Sequence, residues 1–338
     1  FRAIEITSAL FGTFTICAII YLPITEVLNG TASPGDIVLG LTVVSSFYPT
    51  YLQIIYHMRG IAKNYTDLEK YFALLTQEVS VKDPKRPQKL AQVKSGIEFR
   101  NVTFLYPETQ TPVLENFDID VKPGQSIALV GRSGQGKSTI VKLLMHFYDL
   151  SAGQILLDGV DITKFRKSDL RARIGVVPQE PILFNNTIEY NIGYGAAKPT
   201  FQEIEAATKM AYLDEFIESL PEKYQTNVGE RGIKLSGGQK QRLAIARTIL
   251  ANPDIVIFDE ATSHLDSESE KAIQEAFWKA VKGKTAIIVA HRLSTIVRAD
   301  KICVLHEGQV VESGSHRALL QNKSGIYTHF WNLQTDID

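Results

Sequence analysis

Hydrophobic residues follow two different rhythms along this chain, and the change between them divides it. Ile6 to Thr25 (ITSALFGTFTICAIIYLPIT) carries no charge and lies between Glu5 and Glu26. A second uncharged run, Ile37 to Tyr56 (IVLGLTVVSSFYPTYLQIIY), lies between Asp36 and His57. Each reaches the roughly 20 residues that a helix needs to cross a hydrocarbon core. The second is less apolar, with Ser45, Ser46, Thr50, Gln53 and Pro49, a content suited to a helix facing protein or an aqueous path. The other reading of both runs is a pair of core helices in a soluble domain, but adjacent charge-free runs of spanning length are uncommon there. Helical spacing continues through Ile61, Tyr65, Leu68, Phe72 and Leu75, then breaks at Val81-Lys82-Asp83-Pro84-Lys85-Arg86-Pro87. From Gly96 short strands and helices alternate, with IEFRNVTFLY, FDIDV and SIALV as the first strands. The expected organisation is residues 1–80 with spanning helices near 6–25 and 37–58 and an extension to about 76, a linker over 81–95, and an α/β domain over 96–338.

The flanks of the two runs suggest an orientation. The connection EVLNGTASPGD lacks Lys and Arg, whereas Arg2 precedes the first run and Arg59 and Lys63 follow the second. Positive flanks favour the cytoplasmic side, so both outer ends are expected there. Asn29-Gly30-Thr31 matches a glycosylation sequon but sits close to the expected membrane edge. The chain starts with Phe1 and its first Met is Met58, so further sequence is expected upstream. A formal net charge of -1 with dispersed Lys and Arg gives no stripe for a nucleic-acid backbone. Cys17 and Cys303 have no metal or redox spacing and read as small buried hydrophobes.

The chemistry begins where the strand SIALV runs into Gly131-Arg132-Ser133-Gly134-Gln135-Gly136-Lys137-Ser138-Thr139 and then the apolar helix IVKLLMHFY. This is GxxxxGK[ST] in its strand–loop–helix context. The glycines let backbone N–H groups face phosphate oxygens, the helix start adds its positive end, and Lys137 is expected to reach the β- and γ-phosphates and Ser138 to hold Mg²⁺. A second element, Asp254-Ile255-Val256-Ile257-Phe258-Asp259-Glu260, reads as a buried parallel strand carrying two carboxylates to the sheet edge. Asp259 would hold Mg²⁺ and Glu260 would orient or deprotonate the attacking water.

These two elements specify only a P-loop nucleoside triphosphatase. Leu235-Ser236-Gly237-Gly238-Gln239-Lys240-Gln241-Arg242 resembles the LSGGQ signature of ATP-binding cassette (ABC) proteins, and other family motifs occur in order. Tyr106 sits where the family stacks an aromatic on adenine. Gln179 in VVPQEPILF is similar to the Q-loop glutamine, counted with the catalytic and Mg²⁺-binding residues. Ser263-His264-Leu265-Asp266 resembles the D-loop, with His264 in place of the usual alanine, and Asp266 is counted with the nucleotide-binding residues. His291 in IIVAHRLST is similar to the switch histidine that contacts the γ-phosphate, and Gly229-Glu230-Arg231-Gly232 resembles an exporter-type contact loop. Read from the residues, Ser236 is an N-cap and an anion-ready helix start. The resemblance implies that its anion is a second ATP molecule, shared between two cassettes paired head to tail.

What the resemblance implies is an ABC half-transporter of the lipid and multidrug exporter kind, hydrolysing ATP with Mg²⁺ as a dimer with a second copy or a homologous half. It implies an α/β P-loop fold with a mixed sheet, an antiparallel β region and a helical subdomain, the last in FQEIEAATKMAYLDEFIESL. The expected location is an integral membrane protein with a cytoplasmic ATPase, a bacterial inner membrane being the default. The transported substrate cannot be read, and no nucleic acid is expected. The rivals are a soluble cassette ATPase of the chromosome or translation class, an importer cassette, and an ATP-gated regulator. His146, His316, His329 and Trp331 read as packing or surface residues.

Overall fold

The computed structural model describes residues 2–77, 79–94, 96–259, 267–290 and 292–335. Two units divide between Val79 and Ser80.

The first unit is a helical hairpin, α1 (Arg2–Leu28) and α2 (Pro34–Thr76). α2 starts three residues before the uncharged run because Pro34 occupies its first turn, where a missing N–H costs nothing. The Asp36 carboxylate accepts from the Ser33 N–H at 2.8 Å and its hydroxyl at 3.0 Å. α2 then runs unbroken through Pro49 for 43 residues. Its hydroxyls turn inward on their own backbone: Thr42 donates to the Val38 carbonyl (2.8 Å), Ser46 to Thr42 (2.8 Å) and Thr50 to Ser46 (3.2 Å). The polar content of this helix therefore needs no outside partner for its hydroxyl donors. Gly12 admits the Tyr48 ring, where a methyl group would lie 2.9 Å from Cε2. Around that contact the large apolar side chains point outward, Phe14 being 74% and Phe47 70% exposed. Both helices are long and apolar enough to cross a membrane.

The second unit holds two sheets. β1 (Ile97–Phe104), β2 (Leu114–Val121), β4 (Ala152–Leu157) and β5 (Val160–Asp161) form an antiparallel sheet in the order β2-β1-β4-β5. β3 (Ser126–Val130), β6 (Ile174–Val177), β7 (Ile255–Asp259), β8 (Thr285–Val289), β9 (Lys301–His306) and β10 (Gln309–Gly314) form the other. Its order is β10-β9-β3-β8-β7-β6, parallel except for β10. β3 and β8 are buried at every residue, which is why they read as unbroken apolar runs. The expected α/β fold with an antiparallel β region is present, and the helices Phe201–Met210 and Asp214–Glu218 occupy the segment assigned to the helical subdomain.

One element differs from expectation. The helix after β3 is Lys137–Leu144, shorter than the apolar run predicts. His146 takes a left-handed conformation (φ 52°), and the Arg171 guanidinium donates to the carbonyls of Met145 (3.0 Å) and His146 (3.2 Å). A cap from another element ends the helix there. His146 itself is buried, with Nε2 3.0 Å from Asp149 Oδ1.

The linker lies on this unit. Leu90 joins its core, the Gln88 N–H donates to the Lys164 carbonyl (2.9 Å), and the Val93 N–H donates to the Asp254 carboxylate (3.0 Å).

Candidate functional site

The register of the larger sheet builds the site. Leu129 of β3 pairs with Val289 of β8, and Val289 pairs with Asp259 of β7. β3 and β7 are thus two strand spacings apart, about 10 Å. Next to β7, Val177 ends β6 opposite Phe258. Four adjacent parallel strands therefore finish at one edge, and each leads into a motif: β3 into the loop from Gly131, β8 towards His291, β7 into Asp259 and β6 towards Gln179. Such an edge is where open α/β sheets bind ligands.

In the loop after β3, Gly136 has φ 91° and starts the helix with no side-chain cap. A methyl group there would lie 2.7 Å from Leu114 Cδ2 and 3.2 Å from the Val113 carbonyl oxygen. The first N–H groups of this helix keep their capacity for an outside acceptor. Lys137 is buried, and its ammonium donates to the carbonyls of Gly131 (2.7 Å) and Arg132 (2.9 Å). Burial pushes Lys137 below its ordinary pKa, against the pull of Asp259. Burial likewise pushes the Asp259 carboxyl up, against Lys137 and Lys142. Both groups lack the solvation that their charges need, so a polyanion at Lys137 and a cation at Asp259 would each relieve a cost. Ser138 lies exposed beside them.

Tyr106 is half-buried. Its hydroxyl lies 3.1 Å from Thr139 Oγ1, and its ring meets Phe104 and Tyr148 edge-on at 4.8 and 5.2 Å. Lys142, which the motifs did not single out, sits 5.5 Å from the Tyr106 ring centre. Gln135 accepts from the Glu307 N–H, tying the loop to the β9–β10 turn. Ser133 and Gly134 are exposed on the loop, as is Arg132. Gln179 is exposed two residues beyond β6.

Ser236 caps the helix Gly237–Ala251: its hydroxyl accepts from the Gln239 N–H (3.3 Å) and its N–H donates to Gln239 Oε1 (2.8 Å). Ser236 and Gly237 are exposed and Gly238 is buried. Glu260, Asp266 with the D-loop residues Ser263, His264 and Leu265, and His291 lie outside the described residues.

With this geometry in place, residues 114–263 match the family model described as ABC transporter. Residues 114–263 are an ABC transporter ATPase domain. The chain is 48% identical over 300 residues to ATP-binding cassette sub-family B member 6 of Mus musculus, which covers 89% of this chain and 35% of that protein. It is 42% identical over 329 residues to heavy metal tolerance factor 1 of Caenorhabditis elegans, covering 97% of this chain and 41% of that one. A bacterial Atm1-family ABC exporter solved with ATP bound superimposes with a TM-score of 0.75 at 38% identity, covering 99% of this chain and 59% of that one. The chain thus spans about a third to two fifths of the curated relatives' length. An ABC ATPase domain binds ATP, and the uncapped helix start, the buried Lys137 and the desolvated Asp259 suit a magnesium-bound triphosphate.

Proposed function

We propose that this chain is the ATPase-bearing part of an ABC half-transporter that exports a substrate across a membrane. The observation that carries the reading is the single sheet edge at which the phosphate loop, Asp259, Gln179 and the approach to His291 leave four neighbouring strands. The two apolar helices of the first unit are assigned as membrane spans, with the cassette on the cytoplasmic side. The likeness to the Atm1-family ABC exporter supports export as the direction.

In this reading Lys137 and the N–H groups of the loop hold the β- and γ-phosphates, and Tyr106 packs on the adenine. Mg²⁺, when bound, neutralises charge on the transferring phosphoryl group, and Ser138, Asp259 and Gln179 would hold it. Glu260 orients the attacking water and accepts its proton, and His291 donates to the γ-phosphate. Ser236, Gly237, Gly238 and Gln239 face the ATP of a second cassette, contributed by another copy or a homologous half. Asp266 is counted with the nucleotide-binding residues. Transport is then driven by the difference in ATP affinity between open and closed cassette pairs.

The test is Mg²⁺-dependent ATP hydrolysis by the whole chain in detergent or liposomes. Lys137→Ala is expected to lose ATP binding, and Glu260→Gln to retain binding while turnover falls by at least about a thousandfold, the scale of a lost general base. Normal steady-state turnover by Glu260→Gln would remove Glu260 from its role.

A further inference from the structure

Gln241 lies in the helix Gly237–Ala251, five residues beyond Ser236, and is only 3% exposed. Its side-chain Nε2 donates to the Pro178 carbonyl at 3.2 Å and to the Gln179 carbonyl. Two carbonyl oxygens on one side of an amide settle which way it faces. Only the NH₂ end can meet them, and the reverse orientation would set three oxygens against one another. The consequence is an unmet group at the other end: Gln241 Oε1 is buried with no hydrogen-bond partner among the described residues. Burying a carbonyl oxygen without a donor is costly, and a methionine of similar shape would fill the same space without that cost. What the glutamine supplies in return is a grip on the backbone where β6 ends.

The same helix holds the chain further on. Arg247 donates through Nε to the Asn191 carbonyl (2.9 Å) and through Nη1 to the Ile182 carbonyl (3.3 Å). Asn191 is fully buried, accepts from the Phe184 N–H (2.9 Å) and donates to the Phe184 carbonyl (3.0 Å). Residues 178–191 are therefore fastened to the signature helix at two places, and Gln241 is the fastening next to Gln179.

We propose that Gln241 is a positioning residue: it latches the backbone of Gln179 to the signature helix, so that the glutamine serving this cassette's own phosphates and the serine serving the partner's move together. The inference rests on the cassette being an ATPase with shared sites. Gln241 touches no reacting atom, and its influence passes through the Pro178–Gln179 carbonyls.

The experiment is amide hydrogen exchange on the whole chain in detergent, for peptides spanning 175–187. Gln241→Met is expected to speed exchange in this segment about tenfold, the weight of the two lost hydrogen bonds less the cost of the buried Oε1 that it removes, while β3 and the helix Lys137–Leu144 are unchanged. Wild-type protection in Gln241→Met, or uniform loosening of the entire cassette, would each overturn the latch. In the same preparations kcat for ATP should fall about tenfold in Gln241→Met with KM within about twofold, as expected for a group that acts after binding. Exchange needs no turnover, so a chain that hydrolyses no ATP would defeat the ATPase reading while the exchange data still decide the latch.

Discussion

Gly136 and Gly134 separate two reasons why a loop requires glycine. Both have positive φ, 91° and 83°, where a side chain is strained. Only at Gly136 would a methyl group also strike Leu114 and Val113, whereas Gly134 faces open space. Gly134→Ala is expected to cost about 1–2 kcal/mol from backbone strain alone, and Gly136→Ala to cost more by displacing the buried Leu114. Thermal unfolding of the two variants checks the order, and equal losses would mean that Leu114 yields freely. The loop's identity was legible in the sequence because its spacing is fixed by local backbone geometry. The grip of Gln241 on Pro178 and Gln179 was not, since it joins residues more than 60 apart and leaves no mark in periodicity. Gln241 looked like one more polar residue on a helix. Asp259 was readable as a carboxylate at a strand end, but its raised pKa depends on burial that only the packed sheet creates.

Among the elements, the C-terminal helices His316–Gln321 and Ile326–Thr335 are joined by polar contacts that the sequence did not announce. Glu312 of β10 accepts from the N–H groups of Ile326 (2.7 Å) and Tyr327 (3.1 Å), and His316 Nδ1 lies 2.7 Å from the Tyr327 hydroxyl. Burial pushes that hydroxyl up to about 12, so it keeps its proton throughout the range in which His316 titrates. Burial and the neighbouring Arg317 push His316 below its ordinary 6.5. The unfolded chain therefore takes up this proton first as pH falls. Stability should be flat above about 6.5, decline below it, and level off once the folded histidine also protonates. His316→Gln should lose this part of the pH dependence in thermal unfolding, and an unchanged profile would remove His316 from the account. The buried strands were legible as apolar runs, and the signature helix from its serine cap. The early stop at Leu144 was hidden because Arg171, from a later helix, supplies the cap.

For the molecule as a whole, the motifs fall into two groups: those on the edge after β3, β8, β7 and β6, and those at the start of the signature helix. If ATP is shared between two copies, a chain with Lys137→Ala and a chain with Ser236→Arg are each inactive alone. Mixed one to one, half of the pairs would be hybrids with one intact site and one doubly altered site, so about a quarter of wild-type hydrolysis should return. No recovery in the mixture, with dimers confirmed, would reject shared sites. The division near residue 80 was legible because the two segments follow different hydrophobic rhythms, one of long apolar helical runs and the other of alternating strands and helices. The polar residues of α2 were legible, but that their hydroxyls bond to their own helix was not. That helix has a further consequence. Its 43 residues make a rod of about 65 Å, roughly twice the thickness of a hydrocarbon core. With residues 37–58 in a bilayer, the remainder is a lever arm of nearly 30 Å with no joint before Thr76, and a tilt of about 5° within the membrane would swing its far end by about 3 Å.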